Sequence, residues 1–568
     1  ITLLRRRVPQ LSEGDAERIA QALGDLPLAL VQAGAYLADT LTTVPDYLGL
    51  LAERTTELLS HGASPTYSVS LAASAQLALD RLAAQSPAAL MLLTVAAYLA
   101  PEPIPLAMFT THPAPLPEPL ASAARDKLAF TRLIQLVREH GLVRLEPPTF
   151  TVHRLLAAIL RAQPYQPDNL PIVAVRLLRA AVPASHPRVN PPDWGVWRQL
   201  LPHVLVATDP HRALIGAEQD LAWLLRRAAE YLQTRGEPSA AQPLFERARD
   251  LHRSLLGDDH SDTLESAGSL ALNFWELAQY AQAAKLGEDT LTRCRQILGE
   301  DHPQTLRSAY FLALYVRELG QHRRSHQLGE DTLTRMRRVL GEDHLDTLRA
   351  AYYLGLCLRE LGRYGQSLQL CEDAFTRCRK ALGEDHPDTL RAAIALATTL
   401  WELGQHEQTH QLVTDTLSRC RRVLGEDHPH TLRSVFLGVT VLRWQGQLER
   451  ARHLGEDTLT RMRRYLGEDN PYTLRLAIAL VAVLAELGQL EQAHQLGEDT
   501  LTRCRRVLGD DHPDTLRWSR VQISVLRQMG QDERARQFRN DTLRRCRRVL
   551  GEDHPETLRV ARSVATDP

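Results

Sequence analysis

Lysine is nearly missing from this chain: Lys127, Lys285 and Lys380 are the only three among 67 basic residues. The basic surface is therefore made of guanidinium groups, which suit forked contacts with carboxylates and phosphates. An excess of one charge is also missing, with 67 basic against 68 acidic side chains. That balance argues against a globally basic nucleic-acid binder and against an acidic-tail protein. Long apolar runs are absent. The best, "ALMLLTVAAYLA" (Ala89–Ala100), is twelve residues, short of the roughly 20 a membrane span needs, and no signal peptide is visible. Seven cysteines, an odd number without framework spacing, read as a reducing compartment, and the chain is expected to be cytoplasmic. No Gly-x-x-x-x-Gly-Lys-Ser/Thr loop and no evident Mg²⁺-holding aspartate strand occur, so this chain is not expected to hydrolyse ATP. No nucleophile–base pair stands out, and the expectation is a non-catalytic protein. At 568 residues it exceeds one core, so several domains or an open array are expected.

What is present is a period. Gly257, Gly299, Gly341, Gly383, Gly425, Gly467, Gly509 and Gly551 follow one another at steps of 42 without insertion. A weaker unit lies upstream, with Gly236 in phase. Each unit reads as two amphipathic helices: "TLRAAIALATTLWELG" ends at Gly404, and a second apolar stripe (Leu412, Leu417, Cys420, Val423, Leu424) ends at Gly425. Helix pairs tiled without gaps make an α-solenoid.

The linker "LGEDHPDTLR" (Leu382–Arg391) carries acids, a histidine and a hydroxyl, and so raises a metal or acid–base site. One histidine per helix pair (His260, His302, His344, His386, His428, His512, His554) puts neighbours on the order of 20 Å apart, too far to share a metal. Asn470 replaces the histidine in the seventh linker. The linker is therefore read as punctuation: Gly383 closes one helix in a left-handed conformation and Pro387 opens the next. The acids are expected to face that helix N-terminus. Cys294, Cys378, Cys420, Cys504 and Cys546 share one phase with Met336 and Met462, as a buried apolar slot would. Gly287, Gly329, Gly455 and Gly497 lie inside second helices, where glycine is costly unless it permits close contact.

Small residues five places after the turn glycine (Ser325, Ser367, Thr409, Ala451, Ala493), with Gly-x-Asp-His-Pro linkers, make this region similar to tetratricopeptide repeats of the kinesin-light-chain variety. The resemblance implies a right-handed solenoid whose first helices line a groove. Transferred onto this sequence, it places Arg307, Arg349, Arg391, Arg433, Arg475 and Arg517 there, with Tyr310, Tyr352 and Phe436 one turn on. Arg317, Arg359, Trp401 and Arg443 follow further along. Such a groove suits a protein or peptide partner that is acidic or presents a C-terminal carboxylate. Single-stranded nucleic acid is disfavoured without net positive charge, and exposed solenoid ends leave self-association open.

The first 165 residues lack the period. "ERIAQALGDLPLALVQAGAYLADT" (Glu17–Thr40) resembles the Gly-Leu-Pro-Leu-Ala segment of NB-ARC/STAND signalling NTPases, where the proline, here Pro27, abuts nucleotide. "LAFTRLIQLVREHGLVRLEPPTFTVHRLLAAILRAQ" (Leu128–Gln163) reads helix, hairpin, helix, a winged-helix layout. Its His153 stands where that family's phosphate-sensing histidine does, although Val152 and Arg154 replace the flanking methionine and aspartate. The whole chain resembles bacterial NB-ARC/tetratricopeptide proteins, including those of the FxSxx-COOH system. That implies a mainly α protein: an NB-ARC-type helical lid segment (1–62), a helical/winged-helix domain (63–165), a helical linker region (166–215) and a repeat solenoid (216–568). Beginning at Ile1, the chain is expected to be the C-terminal part of a longer one whose upstream domain binds ADP or ATP; no cofactor is expected here. The function implied is a bacterial signalling scaffold whose repeats recruit or sense a partner and relay to that switch. The alternative is the sensor half of a transcriptional regulator, though Leu128–His140 offers only Arg132 and Arg138 as cations for DNA.

Overall fold

The computed structural model describes residues 2–23, 30, 33–34, 37–38, 42–53, 71–140, 142–162, 169–187, 190–212 and 214–562. Two compact units divide within the helix Glu218–Thr234, at Tyr231 and Leu232.

The first unit is helical around a small sheet. Strands β1 (Ile104–Pro105), β2 (Val143–Glu146) and β3 (Thr149–Val152) pair antiparallel in the order β1-β3-β2. The sheet is framed by the helices Leu106–Thr111, Leu120–Arg125, Lys127–Glu139 and Arg154–Arg161. Phe109 lies 6.2 Å from Phe130 and 5.9 Å from Phe150, centroid to centroid, so that helices and sheet share one aromatic contact. Asp126 caps Lys127–Glu139 by accepting from Leu128 and Ala129 N–H. The hairpin expected within Leu128–Gln163 is present as β2 and β3.

The second unit is a run of helix pairs. The first helices are Ser261–Glu276, Pro303–Glu318, Leu345–Glu360, Pro387–Glu402, Pro429–Trp444, Pro471–Glu486, Pro513–Gln528 and Pro555–Arg562. Second helices run from Pro238–Leu256 to Asp532–Val549 between them. The glycines behave as their spacing predicts: Gly404 turns between helices at φ +75° and Gly383 closes a second helix at φ +86°.

Histidine is the cap. In each linker its Nδ1 accepts the N–H two residues on, as from His386 to Asp388 at 3.1 Å and from His512 to Asp514 at 3.2 Å. Asn470 does the same through Oδ1, 3.0 Å from Tyr472 N. Asp346, Asp388 and Asp514, after the histidine, lie in the first turn as expected, but the acids before it take a different place. Because the imidazole fills the N-terminus, the aspartate turns outward and accepts from an arginine of the next second helix. Asp343 meets Arg377 at 2.8 Å and Asp385 meets Arg419 at 3.1 Å.

The cysteine phase is buried throughout, from Cys294 to Cys546, and Met336 and Met462 are equally enclosed. Burial pushes the thiols up, Cys378 and Cys546 to about 12. The second-helix glycines are sites of close approach: a Cβ at Gly287 would stand 3.1 Å from the Tyr315 ring, and one at Gly497 would overlap Gln522 Oε1. Where Cys371 replaces such a glycine, the opposite helix supplies Gly355, whose added Cβ would overlap Cys371 Sγ. One methyl-sized space is thus shared between two helices.

The array coils tightly enough for successive turns to touch. His428 Nε2 donates to Thr234 O at 2.9 Å, His512 to Glu318 O at 3.0 Å and His554 to Glu360 O at 2.9 Å. Each of these pairs is five repeats apart. Arg433 reaches Glu276 (3.0 Å), Arg517 reaches Glu360 (2.6 Å) and Arg559 reaches Glu402 (2.7 Å), each four repeats back. One superhelical turn therefore takes between four and five repeats. With Nδ1 accepting and Nε2 donating, each of these histidines is the neutral Nε2–H tautomer.

Candidate functional site

The tight coil wraps its first helices around an interior, and two adjoining cavities open there. One, of about 160 Å³, is walled by Trp275, Arg317, Tyr352, Tyr353, Arg359, Arg391, Arg433, Phe436, Tyr472 and Arg475 among others. The next, of about 450 Å³, takes Trp401, Arg443, Arg517, Trp518, Arg520 and Arg559 and shares Arg359, Phe436 and Arg475 with the first. Together the walls hold nine arginines and one carboxylate, Glu402.

The arginines stay in place because their acids lie behind the walls. Three first-helix arginines form a ladder, each reaching the aspartate at position two of the next first helix. Arg307 meets Asp346 at 3.1 Å, Arg349 meets Asp388 at 2.7 Å and Arg475 meets Asp514 at 3.0 Å. Where that position is not acidic the ladder adapts: Arg391 donates to His430 Nε2 at 2.7 Å, and Arg433 lies over the Tyr472 ring at 4.3 Å. Arg317 and Arg359 pair with their neighbours Glu318 and Glu360, and Arg443 with Glu486 at 2.5 Å. Burial alone would raise the Glu360 carboxyl, but Arg359 and Arg517 outweigh it and hold it well below the usual carboxylate range. Asp388 is fully buried and takes Arg349, Arg391 (3.0 Å) and the Tyr352 hydroxyl (3.2 Å); the arginines overcome its burial and hold its pKa low.

Of the residues that the resemblance placed in a groove, Arg317, Tyr352, Arg359, Arg391, Trp401, Arg433, Phe436, Arg443, Arg475 and Arg517 line these cavities. Arg307, Tyr310 and Arg349 do not; Tyr310 and Arg349 are buried and Arg307 commits its guanidinium to Asp346. Sequence reasoning missed Arg559, Arg520, Tyr472 and Trp275. Arg559 stands one period after Arg517 and was findable on that ground; Arg520 is off the phase and gave no signal.

In the first unit, His153 caps Arg154–Arg161, its Nδ1 accepting from Leu155 N at 3.2 Å. Pro27 lies outside the described residues. Among the described residues no group of three or more His, Cys, Asp or Glu could hold a metal ion, and no helix is long and apolar enough to cross a membrane.

Tetratricopeptide repeat profiles match residues 220–296, 278–338, 346–418, 439–505 and 524–556. No curated protein matches the chain. Among solved structures it is similar to the nearly identical repeats of a kinesin-light-chain-type protein from Podosopora anserina, at 22% identity. That match has a TM-score of 0.30 and covers 37% of this chain and 98% of that one. It is also similar to a STAND protein with a tetratricopeptide repeat sensor from Pyrococcus horikoshii, at 14% identity and TM-score 0.42, over 86% of this chain and 74% of that one. A third is the apo quorum sensor NprR from B. thuringiensis, at 12% identity and TM-score 0.42, over 63% and 95%. Through the helix pairs of residues 220–556, the chain belongs to the tetratricopeptide-repeat proteins.

Proposed function

We propose that this chain is a non-catalytic binding scaffold whose interior cavities take an extended acidic segment of a protein partner. One observation carries the reading: nine arginines and one carboxylate face the two adjoining cavities, between Trp275, Tyr353, Trp401, Phe436 and Trp518. Guanidinium groups in a concave, partly desolvated wall favour carboxylates through forked hydrogen bonds. The aromatic rings between them accept the apolar parts of a peptide. A signalling role, with partner occupancy relayed to a nucleotide switch upstream, belongs to the same reading; the antiparallel β1–β3 sheet set among helices supports it, being the kind of element a winged-helix region needs. It requires the partner to favour one arrangement of that region over another. Nucleotide itself is no part of the site proposed: the sequence has no phosphate-cradling loop and His153 is engaged as a helix cap.

Anisotropy of a labelled heptapeptide alternating glutamate and leucine, with free or amidated C-terminus, tests the reading. Binding that weakens with salt, and at least tenfold in an Arg443→Gln/Arg520→Gln variant of unchanged helicity, is expected. Equal binding by the glutamine-for-glutamate peptide, or no effect of the double variant, overturns it. A loss confined to the amidated peptide identifies the terminal carboxylate as the group held.

A further inference from the structure

Prolines of this chain seat on its own glycine turns. Pro513 lies on Gly320 and Pro555 on Gly362, both in turns of φ +75°, and a Cβ added to either glycine would stand 2.7 Å from the proline Cδ. Only a turn without a side chain leaves room for the ring. Both seats are flanked by charge. Three residues before the glycine stands an arginine, Arg317 or Arg359, and 40 residues after it a glutamate, Glu360 or Glu402. That glutamate receives an arginine of the seated helix, Arg517 at 2.6 Å or Arg559 at 2.7 Å.

Gly404 makes the same turn, also at φ +75°, but none of the described residues comes within 4 Å of an added Cβ. Both flanking charges are replaced by tryptophan: Trp401 stands where Arg317 and Arg359 do, and Trp444 where Glu360 and Glu402 do. The two indoles flank His406, their ring centroids 4.5 Å and 5.0 Å from the imidazole, and Trp444 is 46% exposed. Gly404, Trp401 and His406 line the larger cavity together with Arg443, Arg520 and Arg559. A ring-sized seat beside two indoles thus opens into the arginine-walled space.

We infer that the acidic segment of the partner carries a proline, and that this proline seats on Gly404 against Trp444. The inference rests on the acidic-segment reading and names one residue of that segment. The occupant follows from the chain's own contacts, since the same turn twice takes a proline ring. A proline beside an indole also buries apolar area against the aromatic face. With both flanking charges replaced, the seat no longer selects the arginine-bearing helix start that fills Gly320 and Gly362; it suits a proline with apolar neighbours.

Two labelled heptapeptides test this against the full chain by anisotropy. Both alternate glutamate and leucine, beginning with glutamate, and the central leucine is replaced by proline in one and alanine in the other. The proline peptide is expected to bind about fivefold more tightly. Gly404→Ala, whose methyl fills the seat, removes that difference by weakening the proline peptide alone. Gly446→Ala strains an open turn of φ +72° that lines neither cavity, and leaves the difference intact. Trp444→Gln, which places there the side chain that Gln528 has at the same phase, reduces the difference with helicity unchanged. Equal binding of both peptides by the wild type overturns the inference and leaves the acidic-segment reading standing. So does a full proline preference in either Gly404→Ala or Trp444→Gln, or a loss of it in Gly446→Ala. Binding of neither peptide overturns the acidic-segment reading and this inference together.

Discussion

Pro513 rests on Gly320, 193 positions earlier in sequence (513 − 320), with its ring Cδ 2.7 Å from where a Cβ would stand. That contact closes one superhelical turn onto the next. Gly320→Ala is therefore expected to destabilise by more than Gly446→Ala. Both substitutions strain a left-handed turn, φ +75° and +72°, by about 1 kcal/mol. Only the first also drives a methyl into a proline, adding about 1–3 kcal/mol. Urea midpoints of the two variants decide it: equal shifts mean that the turns do not touch in solution.

The linker histidine predicts a graded series. His302→Asn should be close to neutral, because an amide oxygen caps as Asn470 does, whereas His302→Ala should cost about 1 kcal/mol. At His512 the asparagine also loses the bond to Glu318 O, so His512→Asn should cost more than His302→Asn. Thermal midpoints of the three variants check this order.

Asp388 and Asp301 separate buried from exposed pairing. Asp388→Asn removes the buried carboxylate that Arg349 and Arg391 share, leaving Arg349 with Asp346 alone, and should cost about 3–5 kcal/mol. Asp301→Asn removes exposed bonds to Arg335 and Arg338 and should cost less than about 1 kcal/mol. Denaturant unfolding of both variants tests the contrast, and a small loss at Asp388 would refute the importance given to the inner ladder.

His428 sets a pH dependence. Burial lowers its folded-state pKa to about 4 from the ordinary 6.5, with Thr234 O partly opposing and Arg391 adding to the shift. Between those values the unfolded chain binds the proton first, so stability falls as pH falls from about 6.5 towards 4, by roughly 3 kcal/mol in all. His428→Asn should flatten that part of the curve relative to the wild type. An unchanged curve would mean that His428 is not buried in solution.

The histidine shows how much of the site was legible. Spacing alone excluded a shared metal, and Asn470 in place of histidine was a signal that an acceptor, not a metal ligand, is what the position requires. Imidazole Nδ1 and amide Oδ1 reach the same N–H, so the two residues interchange there. The outward turn of the linker aspartates was not legible, because it depends on Arg377 and its counterparts arriving from the next repeat. Arg307, Arg349, Arg391, Arg433, Arg475 and Arg517 share one phase of the repeat, but their fates differ with the neighbour each meets: Arg391, Arg433, Arg475 and Arg517 line the cavities, and Arg307 and Arg349 do not. Asp388 draws Arg349 into the interior, while Tyr472 leaves Arg433 stacked at the cavity wall.

The sequence by itself determined the helix pairs, their boundaries and their period, because glycine conformation, proline at a helix start, capping groups and apolar spacing act over a few residues. It also determined which positions are small and buried, since a slot shared by cysteine and methionine can only be apolar. Tertiary structure alone decided where the superhelix closes. The rotation between adjacent pairs is set where the second helix of one pair meets the first helix of the next, as Gly287 meets Tyr315 and Gly455 meets Leu480, and small rotations accumulate over four to five repeats before Arg433 reaches Glu276. That closure places the arginines around enclosed cavities and leaves the Gly404 and Gly446 turns open, which no local rule of the sequence encodes.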